Sequence, residues 1–494
     1  MPSAYEVMNR SSYAGLPERF FARVNPTPVA KPRLLKFNQA LGAELGLDFG
    51  SLDAEALAEL FSGNMMLQGS EPIAMAYAGH QFGHFVPQLG DGRAILLGEA
   101  LDRAGVRRDI QLKGSGRTPY SRGGDGRAAL GPVLREYIVS EAMHALGIPA
   151  TRALAAVVTG EPVFREQALP GAILTRVAAS FVRVGTFQYF AARDDVDAVR
   201  QLADYVIERH YPHAKDGERP YLALLQAVTG GQASLIASWM HVGFIHGVMN
   251  TDNMAVSGET IDFGPCAFMD SYDPAAVFSS IDRQGRYAFG NQPHAAVWNL
   301  ARFAETLLPI IDSSADRAVE LASEVIAAFS VRFADASLAG LRRKLGLSMR
   351  EDGDAALADD LLGAMHRNQA DFTLAFRRLC DAAESQERDG GVRSLFANPR
   401  NYDEWASRWR ARLAREPLEP RARAEAMRQV NPAFIPRNHR IERVINAAVE
   451  NQDFGPFAEL STALSQPYQP LEGFESYADP PDPSERVLQT FCGT

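Results

Sequence analysis

Asn253 and Asp262 bracket the stretch with the clearest chemical content, HGVMNTDNMAVSGETIDFG, which runs from His246 to Gly264. Between them, apolar Met254-Ala255-Val256, the turn signal Ser257-Gly258 and then Thr260-Ile261 predict a short hairpin that aims an amide oxygen and a carboxylate at one point. Two hard oxygen donors beside a glycine suit a magnesium ion carrying nucleotide phosphates, because Mg²⁺ keeps most of its water and takes only one or two protein ligands. The order of parts, a His-Gly loop, an Asn, a hairpin and Asp-Phe-Gly, is that of the metal-binding half of a protein-kinase-like active site. One position departs from this order. Five residues before the metal-binding Asn, such enzymes carry an Asp that accepts the proton of the attacking hydroxyl, and here Val248 stands in its place. Valine accepts no proton, so ordinary phosphoryl transfer lacks its base, while Asp252 supplies a new carboxylate beside Asn253. Asp252 is therefore the candidate base; a surface carboxylate or an outer metal contact is the competing assignment.

Other elements must bring phosphates to that point. Asp109-Ile110-Gln111-Leu112-Lys113 reads as a strand ending in a lysine, and Pro132 through Gly147 as a helix containing Glu136. Lys113 on a strand and Glu136 on the next helix match the ion pair that positions phosphates in kinase-like folds. Upstream, Val86 to Leu89 and Ala94 to Leu97 read as strands joined by Gly90-Asp91-Gly92-Arg93, where a loop would cover the nucleotide. Between Arg107 and Arg135 stand seven basic residues (Arg107, Arg108, Lys113, Arg117, Arg122, Arg127, Arg135) against Asp109 and Asp125, with six glycines from Gly114 to Gly131. Glycines let backbone N–H groups approach an anion and arginine forks grip phosphate oxygens in pairs, so the segment reads as an anion site, with a solvated basic loop as the alternative. His246 reads as a structural histidine bonded to the loop backbone, and Trp239, Trp298, Trp405 and Trp409 as packing residues.

At 494 residues the chain exceeds the size of one hydrophobic core, so two or more packed lobes are expected. Its 46% hydrophobic and 22% charged content is that of an ordinary globular protein, no apolar run approaches a membrane span, and the start lacks a basic-then-apolar leader. A cytoplasmic monomer is expected. A net charge of −10 excludes a general nucleic-acid binder. Three cysteines, Cys266, Cys380 and Cys492, exclude a disulfide-built scaffold. Unrelated thiols are the default for Cys266 and Cys492, and an oxidative latch between them is the sharper hypothesis.

The fold class expected is α+β, a protein-kinase-like bilobal arrangement in four parts. Residues 1–75 form an irregular N-terminal extension with one helix around Leu34 to Leu45. Residues 76–185 form a strand- and glycine-rich lobe whose last strands are Leu154 to Val158 and Ile173 to Val177. Residues 186–431 form a mainly helical lobe with the metal site, including helices Val196 to Ile207, Gln232 to Val242, Ala295 to Leu308, Ala315 to Phe333 and Asp354 to Ala382. Residues 432–494 form a tail that wraps the surface. Two rival functions stay open: a phosphotransferase acting on a small molecule, and a nucleotide-binding scaffold without turnover.

Three longer motifs carry a family resemblance. QLKGSGRTPYSRGGDGRAALGPVLREY at 111–137, HGVMNTDN at 246–253 and IDFGPCAFMD at 261–270, together with the ending FCGT, resemble the selenoprotein O family (SelO, the YdiU group in bacteria) over nearly the whole chain from YAGLPERFF onward. The resemblance implies a kinase-like fold that binds ATP in a flipped orientation and transfers AMP to Ser, Thr or Tyr hydroxyls of proteins. It implies that Lys113, Asp125, Gly126, Arg176 and Arg183 hold the nucleotide, with Asp262 beside it and Gly90, Gly92 and Arg93 in the first glycine loop. Asn253 and Asp262 would hold Mg²⁺, Glu136 would orient Lys113, and Asp252 would accept the proton. Manganese in place of magnesium, and another nucleotide such as UTP in place of ATP, fit the same residues. Some members carry selenocysteine near the C-terminus, where this chain has Cys492.

Overall fold

The structure, a computed structural model, describes residues 10–47, 49, 52–67 and 69–491. Its centre is an antiparallel sheet of eight strands: β1 (Phe21–Arg23), β2 (Arg33–Phe37), β3 (Ile73–Met75), β6 (Ala94–Leu101), β7 (Arg107–Lys113), β8 (Ala128–Ala129), β9 (Arg152–Phe164) and β10 (Ala168–Ala178). Between β3 and β6, strands β4 (Gly79–Gln81) and β5 (His84–Val86) pair only with each other. The order across the sheet is β1-β3-β6-β7-β10-β9-β2, with β8 pairing the first half of β10.

Successive side chains in a strand point to opposite faces, and here the two faces differ in kind. Ile110 and Leu112 of β7 enter an apolar cluster with Leu41 of helix α1 (Gln39–Glu44) and with Leu57 and Phe61 of α2 (Ala54–Ser62). Gln111 and Lys113, one residue out of phase, face α3 (Leu130–Ala145), and the register sets Arg176 of β10 directly opposite Gln111. Alternation alone therefore gathers one amide and two cations on one face.

After β10 the chain is mostly helical. Helices Pro220–His241, Gln292–Ile311 and Ala315–Lys344 pack on one another around Leu235, Leu300, Phe303 and Phe329. A second cluster collects Phe372, Phe376, Trp405 and Trp409. With about 49% helix and 15% strand, the chain is of the expected α+β class.

Several expected elements take other forms. The stretch before residue 76 is no irregular leader among the described residues: β1 and β2 are the two edges of the sheet, and the helix near Leu34 begins only at Gln39 because Arg33–Phe37 pairs with β9 as a strand. Val86 to Leu89 does not pair with Ala94 to Leu97; β5 turns back on β4, and β6 pairs with β3 and β7. Asp354 to Ala382 is two helices, Asp354–Asn368 and Phe372–Glu384, since Gln369 adopts a left-handed φ of 50° and Asp371 caps the second through the Leu374 N–H. The tail is not merely a wrap, because helices Asn438–Asn451 and Gly455–Leu464 pack against α3, with the Phe457 and Tyr137 rings 5.3 Å apart. The end of the tail docks beside the Asp-Phe-Gly triplet, where the Thr490 hydroxyl donates to the Pro265 carbonyl at 2.5 Å. Cys492 lies outside the described residues.

One buried arginine locks the first of these tail helices in place. Arg437, 1% exposed, donates to Asp270 and Asp371 at 2.6 Å each and to the Ala478 carbonyl at 2.9 Å. Removing one partner of a buried ionic network leaves uncompensated charge, so Arg437→Met should lower stability by about 3–5 kcal/mol in urea unfolding. A loss of less than about 1 kcal/mol, the range of an exposed ion pair, would show the network to be ornamental.

Candidate functional site

A cleft of about 520 Å³ opens between the Lys113 face of the sheet and the loops 248–253 and 262–265. Its floor is one carboxylate. Asp262 Oδ1 accepts from Lys113 Nζ at 3.1 Å and from Arg176 Nη1 at 2.7 Å, while Oδ2 accepts from Arg183 Nη1 at 2.7 Å. Burial would raise the Asp262 pKa, but Lys113, Arg183 and Arg176 outweigh it and hold the group well below the usual carboxylate range. Glu136 stands behind, accepting from Lys113 at 2.6 Å and from Arg176 at 3.2 Å. The expected strand-helix ion pair is therefore present, and it is shared with a second cation.

Asp262 itself sits at φ 60°, a left-handed conformation costly for most residues and tolerated best by Asn and Asp. The hairpin expected around it is absent. Ala255 bridges to Arg183 and Thr260 bridges to Ala150, so each side of the Ser257-Gly258 turn pairs with an outside segment. Asn253 and Asp262 still line one cleft. The Asn253 amide nitrogen donates to the Val248 carbonyl at 2.9 Å, which fixes the amide and leaves its oxygen on the other side.

Asp252 lies in the same wall. Burial pushes its pKa up to about 6 against the pull of Arg183, and Oδ1 is buried without a hydrogen-bond partner. His246 is structural, as expected: its ring is buried, Nε2 bonds the Ile261 carbonyl at 2.9 Å, and burial lowers its pKa. Trp239 packs on that ring and donates to Thr260 Oγ1 at 2.8 Å.

The basic segment divides in the structure. Lys113, Arg122 and Arg127 line the cleft, whereas Arg117 binds the Gly124 carbonyl, Arg108 pairs with Asp102, and Arg135 pairs with Glu442. The reason is position: Arg108 is at the far end of β7 from the cleft, and Arg135 points off α3 toward the tail helix. Arg93, Arg176 and Arg183 complete the sequence-derived set at the cleft, and Arg165, which no local pattern marks, joins them from the end of β9. Arg165 pairs with Asp125 at 2.9 Å, so Asp125 orients an arginine at the rim. Gly90, Gly92 and Gly126 also line the cleft. Gly126, at φ 68°, is dictated by packing: a Cβ there would stand 2.0 Å from the Gly116 carbonyl oxygen.

Two residues beneath the cations carry no local signal of their role. Asp91, 2% exposed, accepts from Gln111 Nε2 and from the Met75 N–H, both at 3.1 Å, and Gln111 Oε1 in turn accepts from Arg176 Nη2. Burial raises the Asp91 pKa to about 6 despite Arg183. Only the period-2 register of β7 would have placed Gln111 on the same face of the sheet as Lys113.

Seven cationic side chains line this cleft (Arg93, Lys113, Arg122, Arg127, Arg165, Arg176, Arg183) against four carboxylates (Asp91, Asp125, Asp252, Asp262), on a chain of net charge −10. Arg176 Nε and Arg183 Nε are buried without partners. Such a floor accepts a polyanion. No group of three or more His, Cys, Asp or Glu among the described residues is arranged to hold a metal ion. The Asn253 oxygen and Asp262 suffice for a magnesium ion only when phosphate oxygens and water supply its remaining ligands, which is how Mg²⁺ commonly binds with nucleotides.

Comparison with known proteins defines the class to which this cleft belongs. A family model described as protein adenylyltransferase SelO matches residues 4–465. The protein nucleotidyltransferase YdiU of Bradyrhizobium sp. (strain BTAi1) is 66% identical over 485 residues, covering 98% of this chain and 99% of that protein. Its namesake in Rhizobium rhizogenes (strain K84) is 65% identical over 484 residues, covering 98% of this chain and 96% of that protein. The relatives and the family model are those of nucleotidyltransferase enzymes. The chain belongs to the SelO family.

If Asp262 is what neutralises the floor, Asp262→Asn leaves Lys113, Arg176 and Arg183 balanced only by Glu136 and the more distant Asp91 and should lower stability by about 3 kcal/mol. Added tripolyphosphate should then raise the melting temperature of the variant more than that of the unaltered protein, since an anion that binds only the folded state stabilises it. Equal shifts for both proteins would show that the three cations are not waiting for an anion.

Proposed function

We propose that this protein transfers AMP from ATP to Ser, Thr or Tyr hydroxyls of other proteins, releasing diphosphate. The observation that carries this is the pairing of a cation-rich cleft with Asp252, an under-bonded buried carboxylate, next to Val248, which cannot accept a proton. The ATP would lie reversed relative to ordinary kinases. Its terminal phosphates would meet Arg93, Arg122, Arg127 and Arg165 on the sheet side, and its α-phosphate would lie by Asp262 and Asn253. Gly90, Gly92, Asp125 and Gly126 would shape the loops around the tail phosphates. This accounts for a surplus of arginine that a metal-bound γ-phosphate alone would not require. The lobes would then play the parts of a kinase-like pair.

In the transfer, the acceptor oxygen attacks the α-phosphorus while the bond to the bridging oxygen of the diphosphate breaks, and the diphosphate leaves with the bonding electrons. Asp252 takes the hydroxyl proton. Lys113, held by Glu136, and Arg176 and Arg183, tethered through Gln111 and Asp262, present fixed positive charge where negative charge develops. Asn253 and Asp262 would hold Mg²⁺ or Mn²⁺, which when bound neutralises charge on the phosphates. The same cleft chemistry would admit another nucleotide such as UTP, and a monomer in the cytoplasm remains the expected setting. No helix among the described residues is long and apolar enough to cross a membrane.

Incubation with cell lysate and either α-³²P-ATP or γ-³²P-ATP separates the possibilities. Label on protein from the α position alone is expected, and label from the γ position alone would replace this proposal with phosphoryl transfer. Asp252→Ala should cut α-label transfer by about 10²- to 10⁴-fold, the usual contribution of a general base. A variant retaining full transfer would strip Asp252 of that role.

A further inference from the structure

The β4–β5 hairpin belongs to neither the sheet nor the helical part, yet it is bonded to the loop that carries Asp252. The His80 N–H donates to Thr251 Oγ1 at 2.7 Å and the Phe82 N–H to Asn250 Oδ1 at 2.9 Å. Thr251 in turn donates to Gln188 Oε1 at 2.6 Å, and the Gln188 amide meets His80 Nδ1 at 2.8 Å. Tyr287 braces Asn250 from behind, its hydroxyl donating to Oδ1 at 2.8 Å. The two residues before Asp252 are thus fastened to the hairpin from several sides.

Asp252 is enclosed by this arrangement to within a methyl group. A Cβ on Gly79 would stand 2.8 Å from Asp252 Oδ1, and a Cβ on Gly185 would stand 2.1 Å from the Ala78 carbonyl oxygen and 3.3 Å from the Asp252 Cα. Gln81 neighbours the Asp252 side chain and, with Phe82, lines the cleft. Phe82 holds a left-handed φ of 51° to do so. The hairpin brings no cation to the cleft lining, in contrast to the sheet side with its arginines. At its tip His84 is exposed and Phe85 is 39% exposed. A wall without cations is unsuited to phosphate, and an amide beside a carboxylate suits a neutral hydroxyl.

We propose that the β4–β5 hairpin is the wall of the site that receives the acceptor protein, and that Gln81 is the residue that positions Asp252 toward the incoming side-chain hydroxyl. This rests on the transfer reaction proposed above. Nucleotide is held from the sheet side and acceptor from the hairpin side, so damage to the hairpin separates the two. Gln81 does not itself take the proton; it restricts the carboxylate that does. Gly79 is glycine because any side chain would push that carboxylate aside.

Gln81→Ala and Gly79→Ala test this, with initial rates of α-³²P transfer to lysate proteins and ATP affinity measured by calorimetry. The first variant trims a half-buried side chain without touching the backbone, so it serves even if the second folds poorly. For both, the turnover number should fall about 10- to 100-fold, the scale of a misplaced reacting group, with the ATP KM and Kd within about twofold of the unaltered enzyme. A merely structural role would lower the melting temperature and weaken ATP binding together with the rate. That parallel loss, or full-rate transfer by both variants, overturns the assignment while leaving the transfer reaction standing. Failure of the unaltered enzyme to label any protein from α-³²P-ATP removes the transfer reaction, and the assignment falls with it.

Discussion

The structure depends on a single half-buried carboxylate that must satisfy three cations at once. Lys113 comes from the end of β7, Arg176 from β10 and Arg183 from the segment after it, and all three converge on Asp262, as many as 149 residues away in sequence. Their desolvation is tolerable only because each has a charged partner at 2.7–3.1 Å, with Glu136 as a second anion behind. Asp91, 3.9 Å from Arg183, brings a third carboxylate, so the positive excess of the cleft comes from the arginines at its rim. The cost of holding those arginines together is recovered when an anion arrives. The sheet and the loop carrying Asp262 are therefore held in register by electrostatics that are incomplete until the cleft is filled.

That incompleteness is stiffened from below. Arg176 cannot swing away, because Gln111 accepts from its second nitrogen and is itself fixed by Asp91, which also accepts from the Met75 backbone. Arg183 lies over the Tyr77 ring at 4.6 Å and donates to the Asp252 carbonyl at 2.9 Å. An arginine held at both ends loses little freedom when it meets a phosphate. Preorganised charge of this kind is what lets a site stabilise charge as it develops without first rearranging.

How much of this was legible in the chain depends on whether a contact is local or not. Lys113 was marked by a strand ending in a turn, Glu136 by a helical repeat, and Asn253 and Asp262 by a short run with fixed spacing; each could be read because a few neighbours declare it. Arg165 and Asp91 could not, because their partners come from other elements and nothing beside them in sequence betrays the contact. The hairpin expected between Asn253 and Asp262 failed for a related reason. Its residues are suited to strands, but Ala150 and Arg183 offer bridges that the two arms of the turn take in place of each other. Likewise, β1 and β3 are three residues each, too short to show alternation, and they become strands only because partners wait at the edge of the sheet.

Asp252, buried, and Asp262, half-buried ten residues on, titrate in opposite directions, and the cause is geometric. Asp262 has a cation on each oxygen, which more than offsets burial and keeps it ionised across the working range. Asp252 has Arg183 near it, but that arginine spends one nitrogen on Asp262 and on the Asp252 backbone carbonyl, so burial wins and the pKa rises to about 6. One group is thereby fixed as a permanent anion, fit to hold charge in place. The other stands close enough to neutrality to exchange a proton. Pairs of like groups pushed apart by their surroundings mark where acid–base work is divided from electrostatic work. Here the difference in titration follows from which carboxylate Arg183 reaches with its side chain.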